Sequence, residues 1–159
     1  MRSALFSVLA LMVPTAAAQD VATPAPGAYT TEEAAWCAVV FARMAEATAA
    51  LPDVPDAMRE QSQIGAMIWE YELIASAPGR EDFIQRAALG AVDALAAQMP
   101  QGDDAAAANA RGEFLMSRAK GCSERIDQIY QNAPHPIVQR LLAQREVPPP
   151  PARQKPGLR

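Results

Sequence analysis

Apolar residues recur along most of this chain at the three- and four-residue spacing of an α-helix, and no run alternates with the period of two that a half-buried strand requires. The first stripe follows Thr30 and runs through Trp36, Val40, Met44, Ala47 and Leu51, widened by Cys37 and Phe41. Thr30 with Glu33 three residues on fits a capping box, in which each side chain takes up a free backbone amide of the first turn. Pro52 ends this helix, because its ring lacks an amide proton and clashes with the preceding turn.

Three further helices follow the same logic. One starts among Asp53–Asp56 and reaches about Ala77, with Ile64, Met67, Ile68, Tyr71, Ile74 and Ala75 predicted to face inward. Pro78-Gly79 ends it. The next opens on Arg80-Glu81-Asp82, whose acids suit the positive end of the helix dipole, and carries Ile84, Ala88, Ala91, Leu95 and Met99 on one face. Pro100 and Gly102 close it. The longest runs from about Asp103 to Asn132, capped by Asp103 or Asp104, with Leu115, Ala119, Cys122, Ile126 and Ile129 as a seam. Gly112 and Gly121 within it predict close packing or a kink. Pro134-His135-Pro136 stops it. A short fifth helix, Ile137 to about Arg145, presents Ile137, Leu141 and Leu142.

The pattern predicts an all-α fold: an antiparallel four-helix bundle with a short fifth C-terminal helix and one intrachain disulfide. Cys37, early in the first helix, meets Cys122, near the end of the fourth, if those two helices are antiparallel neighbours. They are the only cysteines in the chain. Bridging a loop of that length restricts the unfolded chain by about 4 to 5 kcal/mol in the chain-entropy view.

The ends of the chain read differently. Residues 1–18 have a basic start at Arg2, a short apolar run, and small residues at Ala16–Ala18, the order of a cleavable secretory signal peptide. The apolar run is about half the ~20 residues a spanning helix needs. Residues 19–29 are a Pro/Ala linker, 30–146 the helical domain, and 147–159 a Pro-rich basic tail expected to be disordered. The expectation is a soluble, not membrane-spanning, protein that is periplasmic or secreted, where an oxidising medium favours the disulfide.

Charge and chemistry narrow the function without naming it. The chain carries a formal net charge of −4. Residues 19–104 hold fourteen acidic and four basic residues, and 105–159 hold four acidic and nine basic ones. An acidic protein of this kind has no general attraction to nucleic acid. No C-x-x-C-H, H-E-x-x-H, EF-hand or G-x-S-x-G motif is present, so no cofactor, metal or catalytic residue is assigned. The methionines are expected as core filler. His135, alone of its kind and set between prolines, reads as an exposed turn residue. Asp93 could meet Arg118 or Arg125 as a structural ion pair.

One stretch stands out as a possible binding patch: Trp69, Glu70, Tyr71 and Glu72, with aromatic area beside acidic orientation. The ordinary arrangement puts Tyr71 in the core, Trp69 half buried and both acids in solvent. Trp36 is expected in the core against the disulfide. These readings favour an exported binding protein (adaptor, inhibitor or accessory subunit) whose partner is another exported or envelope protein. A carrier of a small apolar ligand between helices is the alternative. An enzyme using carboxylates with Tyr71 or Tyr130 is the third. The tail, 147–159, is a possible recognition segment, since polyproline loses little entropy on docking. Cleavage after Ala18 predicts a mature chain starting at Gln19; an intact mass that still includes Met1 would contradict export by this route.

Overall fold

The computed structural model describes residues 28–131 and 133–146. The expected signal peptide, linker residues 19–27 and the tail 147–159 lie outside the described residues. The rest comprises five helices: α1 Thr31–Ala50, α2 Asp56–Ser76, α3 Glu81–Gln98, α4 Ala105–Ile129 and α5 Pro136–Glu146. Among the described residues there is no strand, and no helix is long and apolar enough to cross a membrane.

The caps fall where the sequence places them, with one difference. The Glu33 amide donates to Thr30 Oγ1 at 3.1 Å, and the Ala107 amide donates to Asp104 Oδ1 at 2.7 Å. The reciprocal half of the Thr30–Glu33 capping box is replaced. The Glu33 carboxylate instead receives Arg125 Nε of α4 at 2.6 Å, a charged partner that a neutral backbone amide does not match. Gly79 and Gly102 take positive φ in the loops after α2 and α3, which only glycine adopts without strain.

The bundle is organised around α1, which packs against α2, α3 and α4, while α5 lies on α2. Cys37 and Cys122 are joined, with Cα atoms 5.6 Å apart across 85 residues of sequence. One turn away, Glu33 meets Arg125, so α1 and α4 run antiparallel as expected. Ala34, Ala35, Val40 and Phe41 fill the centre from α1, with Ile68, Trp69 and Leu73 from α2, Ala91 and Leu95 from α3, and Leu115 and Ala119 from α4. α1 is thus enclosed through its first three turns. Its last turn keeps only Thr48 inside, so Ala47 and Leu51, expected inside, are exposed.

The inward face of α2 departs most from expectation. Buried positions are Ser62, Gly65, Ile68, Trp69, Glu72 and Leu73, while Met67, Tyr71 and Ile74 are exposed. The helix is turned about one residue from its most apolar face. Close approach to α1 decides this. Gly65 lies directly against the Phe41 ring, and Ser62 Oγ hydrogen bonds Thr48 Oγ1 at 3.0 Å, so a small residue and a matched polar pair occupy the interface. Met58 and Met116 are also exposed, not core filler. Asp93 is exposed and outside any ion pair among the described residues; Arg125 is taken by Glu33, and Arg118 lies over the Phe114 ring.

Gly112 and Gly121 mark no close packing, since a side chain at either would meet open space. Opposite outcomes follow for alanine. Gly65→Ala drives a methyl group into the Phe41 ring and should lower stability by about 1 to 3 kcal/mol. Gly112→Ala or Gly121→Ala should raise it by about 0.5 to 1 kcal/mol through helix propensity. Urea unfolding followed by circular dichroism measures both signs.

Candidate functional site

The polar centre of the molecule is Glu72. Its side chain has no exposed surface, and it sits where α2, the end of α4 and the start of α5 converge. A buried carboxylate needs donors to offset the loss of water. Tyr130, which caps the C-terminus of α4, donates its hydroxyl to Glu72 Oε1 at 2.6 Å. His135 Nε2 meets the same oxygen at 2.8 Å. Tyr29, ahead of α1, donates to the Glu72 backbone carbonyl at 3.3 Å. Among the described residues no lysine or arginine pairs with Glu72, and its Oε2 has no hydrogen-bond partner.

Local chain geometry puts these groups in place. The residue after Tyr130, Gln131, has a φ of 51°, the left-handed conformation that commonly turns the chain at a helix C-terminus. That turn carries the chain back toward α2. Pro136 then occupies the first position of α5, where a missing amide costs nothing, and His135 becomes the N-cap. The Ile137 amide donates to His135 Nδ1 at 3.1 Å, and the Gln139 amide donates to the His135 carbonyl at 3.0 Å. Because Nδ1 accepts, Nε2 carries the proton and donates it to Glu72. The tautomer is therefore set by the helix cap on one side and the carboxylate on the other.

Aromatic rings close the site. His135 is held edge-on by Tyr71 at 5.5 Å and by Tyr130 at 4.8 Å, and Tyr29 meets Trp69 edge-on at 6.4 Å. All three tyrosines and the single histidine of the chain thus gather around one carboxylate. Burial opposes ionisation of Glu72, but the hydrogen bonds from His135 and Tyr130, with Tyr29 adding to them, prevail and hold the carboxyl below its ordinary value. Burial first, and the adjoining carboxylate second, push the Tyr29 and Tyr130 hydroxyls well above the usual phenol range, so both stay protonated as donors.

Chemically, this cluster binds elements together. A histidine acting as general base presents one nitrogen to its orienting carboxylate and the other to substrate. Here the second nitrogen is committed to the Ile137 amide. The expectation of an exposed turn histidine is corrected: His135 is 4% exposed, because the two prolines define a cap whose side chain points inward.

The four residues marked as a binding patch do not share a surface. Trp69 is 1% exposed and Glu72 is fully buried, whereas Tyr71 is 43% exposed and Glu70 faces solvent. Consecutive helical residues point about 100° apart, so four of them cannot face one way. The ordinary arrangement is inverted too: Trp69, not Tyr71, is the core aromatic, and one of the two acids is inside. Outside remain Glu70 and Tyr71 beside Met67 and Ile74, a stripe along α2. Leu142 of α5 is exposed as well.

A second feature lies between α1 and α3. Trp36, half buried and not in the core against the disulfide, forms one wall of an open cleft of about 440 Å³. Phe83 lines it too, Ala87, Ala91 and Ala94 contribute methyl groups and Gly90 bare backbone, and Glu32 and Arg86 are its charged members. Comparison with known proteins finds no matching protein family, no matching characterised protein and no matching solved structure.

Tyr130→Phe removes one donor from a charged acceptor and should destabilise the fold by about 1.5 to 3 kcal/mol at neutral pH. Because the native carboxyl is held below its ordinary value, its contribution is complete above the ordinary carboxylate range. It is lost as pH falls through the lower native value. The gap between the parent protein and Tyr130→Phe should therefore be widest near neutrality and narrow in acid. Urea unfolding across that range measures it; a gap independent of pH would contradict the assignment.

Proposed function

We propose that this chain is a small exported binding protein, without catalytic machinery of its own, that engages another exported or envelope protein. The observation that carries this reading is the stripe of Met67, Tyr71 and Ile74 on α2, exposed by 40%, 43% and 57% at helical spacing. Apolar anchors at i, i+4 and i+7 are how a helix engages a partner's apolar groove. Aromatic and Met side chains are enriched at such contacts, the aromatics because they bring area at modest entropic cost and Met because it adapts to irregular surfaces. Glu70 beside the stripe would give a basic partner rim a point of orientation. Export is supported by the signal-like start and by a disulfide that an oxidising compartment would preserve. The commitment of both His135 nitrogens supports binding over catalysis.

The α1–α3 cleft favours a second reading, the carriage of a small apolar ligand. The two separate in one experiment on the protein purified from its host compartment. Met67→Ser with Ile74→Ser strips two of the three anchors while leaving the Tyr71 contact to His135 in place, and Gly90→Leu fills the cleft, where a Cβ at 90 meets nothing within 4 Å. Loss of a co-purifying protein only in the first variant, at unchanged thermal stability, is the expected result. Loss of a bound small molecule, seen by native mass spectrometry, only in Gly90→Leu would favour the carrier. If the stripe variant keeps every partner of the parent protein, the binding surface lies elsewhere.

A further inference from the structure

We propose that His135 and Glu72 form an acid-released latch that holds α5 against the bundle. α5 has eleven residues, fewer than an isolated helix needs to persist in water. It must be held by what it touches. Its apolar contribution is modest, through Ile137 and Val138, which are only partly buried. At its far end Arg145 pairs with Glu60, but both side chains are largely in solvent, where such pairs contribute little. The buried anchor is at its N-terminus, where the imidazole of its N-cap residue meets Glu72.

That anchor tolerates one protonation state. The docked imidazole carries a single proton, on Nε2, donated to Glu72 Oε1. A second ring proton would sit on Nδ1, against the Ile137 amide proton, and would break the cap of α5. A proton on the carboxyl has a ready place on Oε2, the oxygen without a partner, and it would remove the charge that Tyr130 and His135 serve. Uptake by the carboxyl weakens docking, whereas uptake by the ring would exchange the cap of α5 for an ion pair with Glu72. Once α5 has left, the Glu72 carboxyl loses the donor that held it low and takes its proton more readily. The groups facing the pair are Tyr29 from the segment before α1, Tyr71 from α2 and Tyr130 from α4. All are neutral donors or rings, and Arg140 of α5 is exposed. Apart from His135 itself no charged side chain among the described residues faces the carboxylate, and the hydrogen bonds from His135 and Tyr130 hold it below its ordinary value, so release sets in at the acid end of the range.

The test is an acid titration of the purified, disulfide-bonded protein, ¹⁵N-labelled, from about pH 7 to about pH 3. Amide signals of residues 137–146 report α5, and near-ultraviolet dichroism of Trp36 and Trp69 reports the bundle. α5 signals should move to disordered positions before the tryptophan signal is lost. The docking equilibrium should fall by up to about tenfold per pH unit for each proton taken up. Two variants check the groups. Glu72→Gln removes the carboxyl charge, and His135→Asn keeps an N-capping oxygen without a titrating ring. A flattened pH slope in either variant supports the latch and names the group that takes the proton. Simultaneous loss of α5 and the bundle in the parent protein, or a slope unchanged in both variants, would overturn it. The parent titration decides the matter even if a variant does not fold.

Discussion

A carboxylate placed out of reach of water must be answered by donors, and this requirement ties together the separate parts of the molecule. Glu72 draws Tyr130 from the end of α4 and His135 from the start of α5, while Tyr29 from the segment before α1 holds its backbone carbonyl. The segments around residues 29, 72 and 130–135, far apart in sequence, thus meet at one residue. Truncating Glu72 would strand the buried donors of Tyr130 and His135, a larger cost than the net value of the hydrogen bonds themselves. The arrangement specifies where α4 stops and how α5 lies, which apolar packing alone would leave loosely defined.

At the other side of α1 the constraint is covalent. The Cys37–Cys122 bond and the adjacent Glu33–Arg125 pair join α1 to α4 in antiparallel register. α1 is the shared partner of α2, α3 and α4, so a bond to α1 bears on the whole bundle. The cost of making α1 the hub is visible in its neighbours. α2 must approach closely, which selects Gly65 opposite Phe41 and the Thr48–Ser62 pair. α3 offers alanines and a glycine along α1, which leaves the open cleft beside Trp36.

The surface follows from the same choice. Rotating α2 to bury Trp69 and Glu72 turns Met67, Tyr71 and Ile74 outward. The exposed stripe is thus the other side of the buried polar centre. Tyr71 belongs to both, with its ring edge on His135 and 43% of its surface in solvent. A partner seated on the stripe would lie one ring away from the latch, so release of α5 and occupation of α2 would be sensed at neighbouring positions.

Helix number, approximate limits, the caps of α1 and α4, the loops and the cysteine pairing were legible in the sequence, because they depend on short-range chemistry: proline at a helix end, an aspartate before an alanine run, apolar residues three and four apart. Pairing followed from only two cysteines and the antiparallel geometry that short loops impose. The face of α2 was not legible, nor was the site. A hydrophobic stripe reports average burial, whereas the observed face is decided by what α1 can accept, a glycine against Phe41 and polar groups with matched partners. Glu72 and His135 read as solvent residues because isolated acids and loop histidines usually are. The signal that could have corrected His135 was Pro136, which at the first position of a helix makes its predecessor the cap. Nothing local could have named Glu72, since its donors arrive from residues 29, 130 and 135 and its burial is favourable only once all of them are in place.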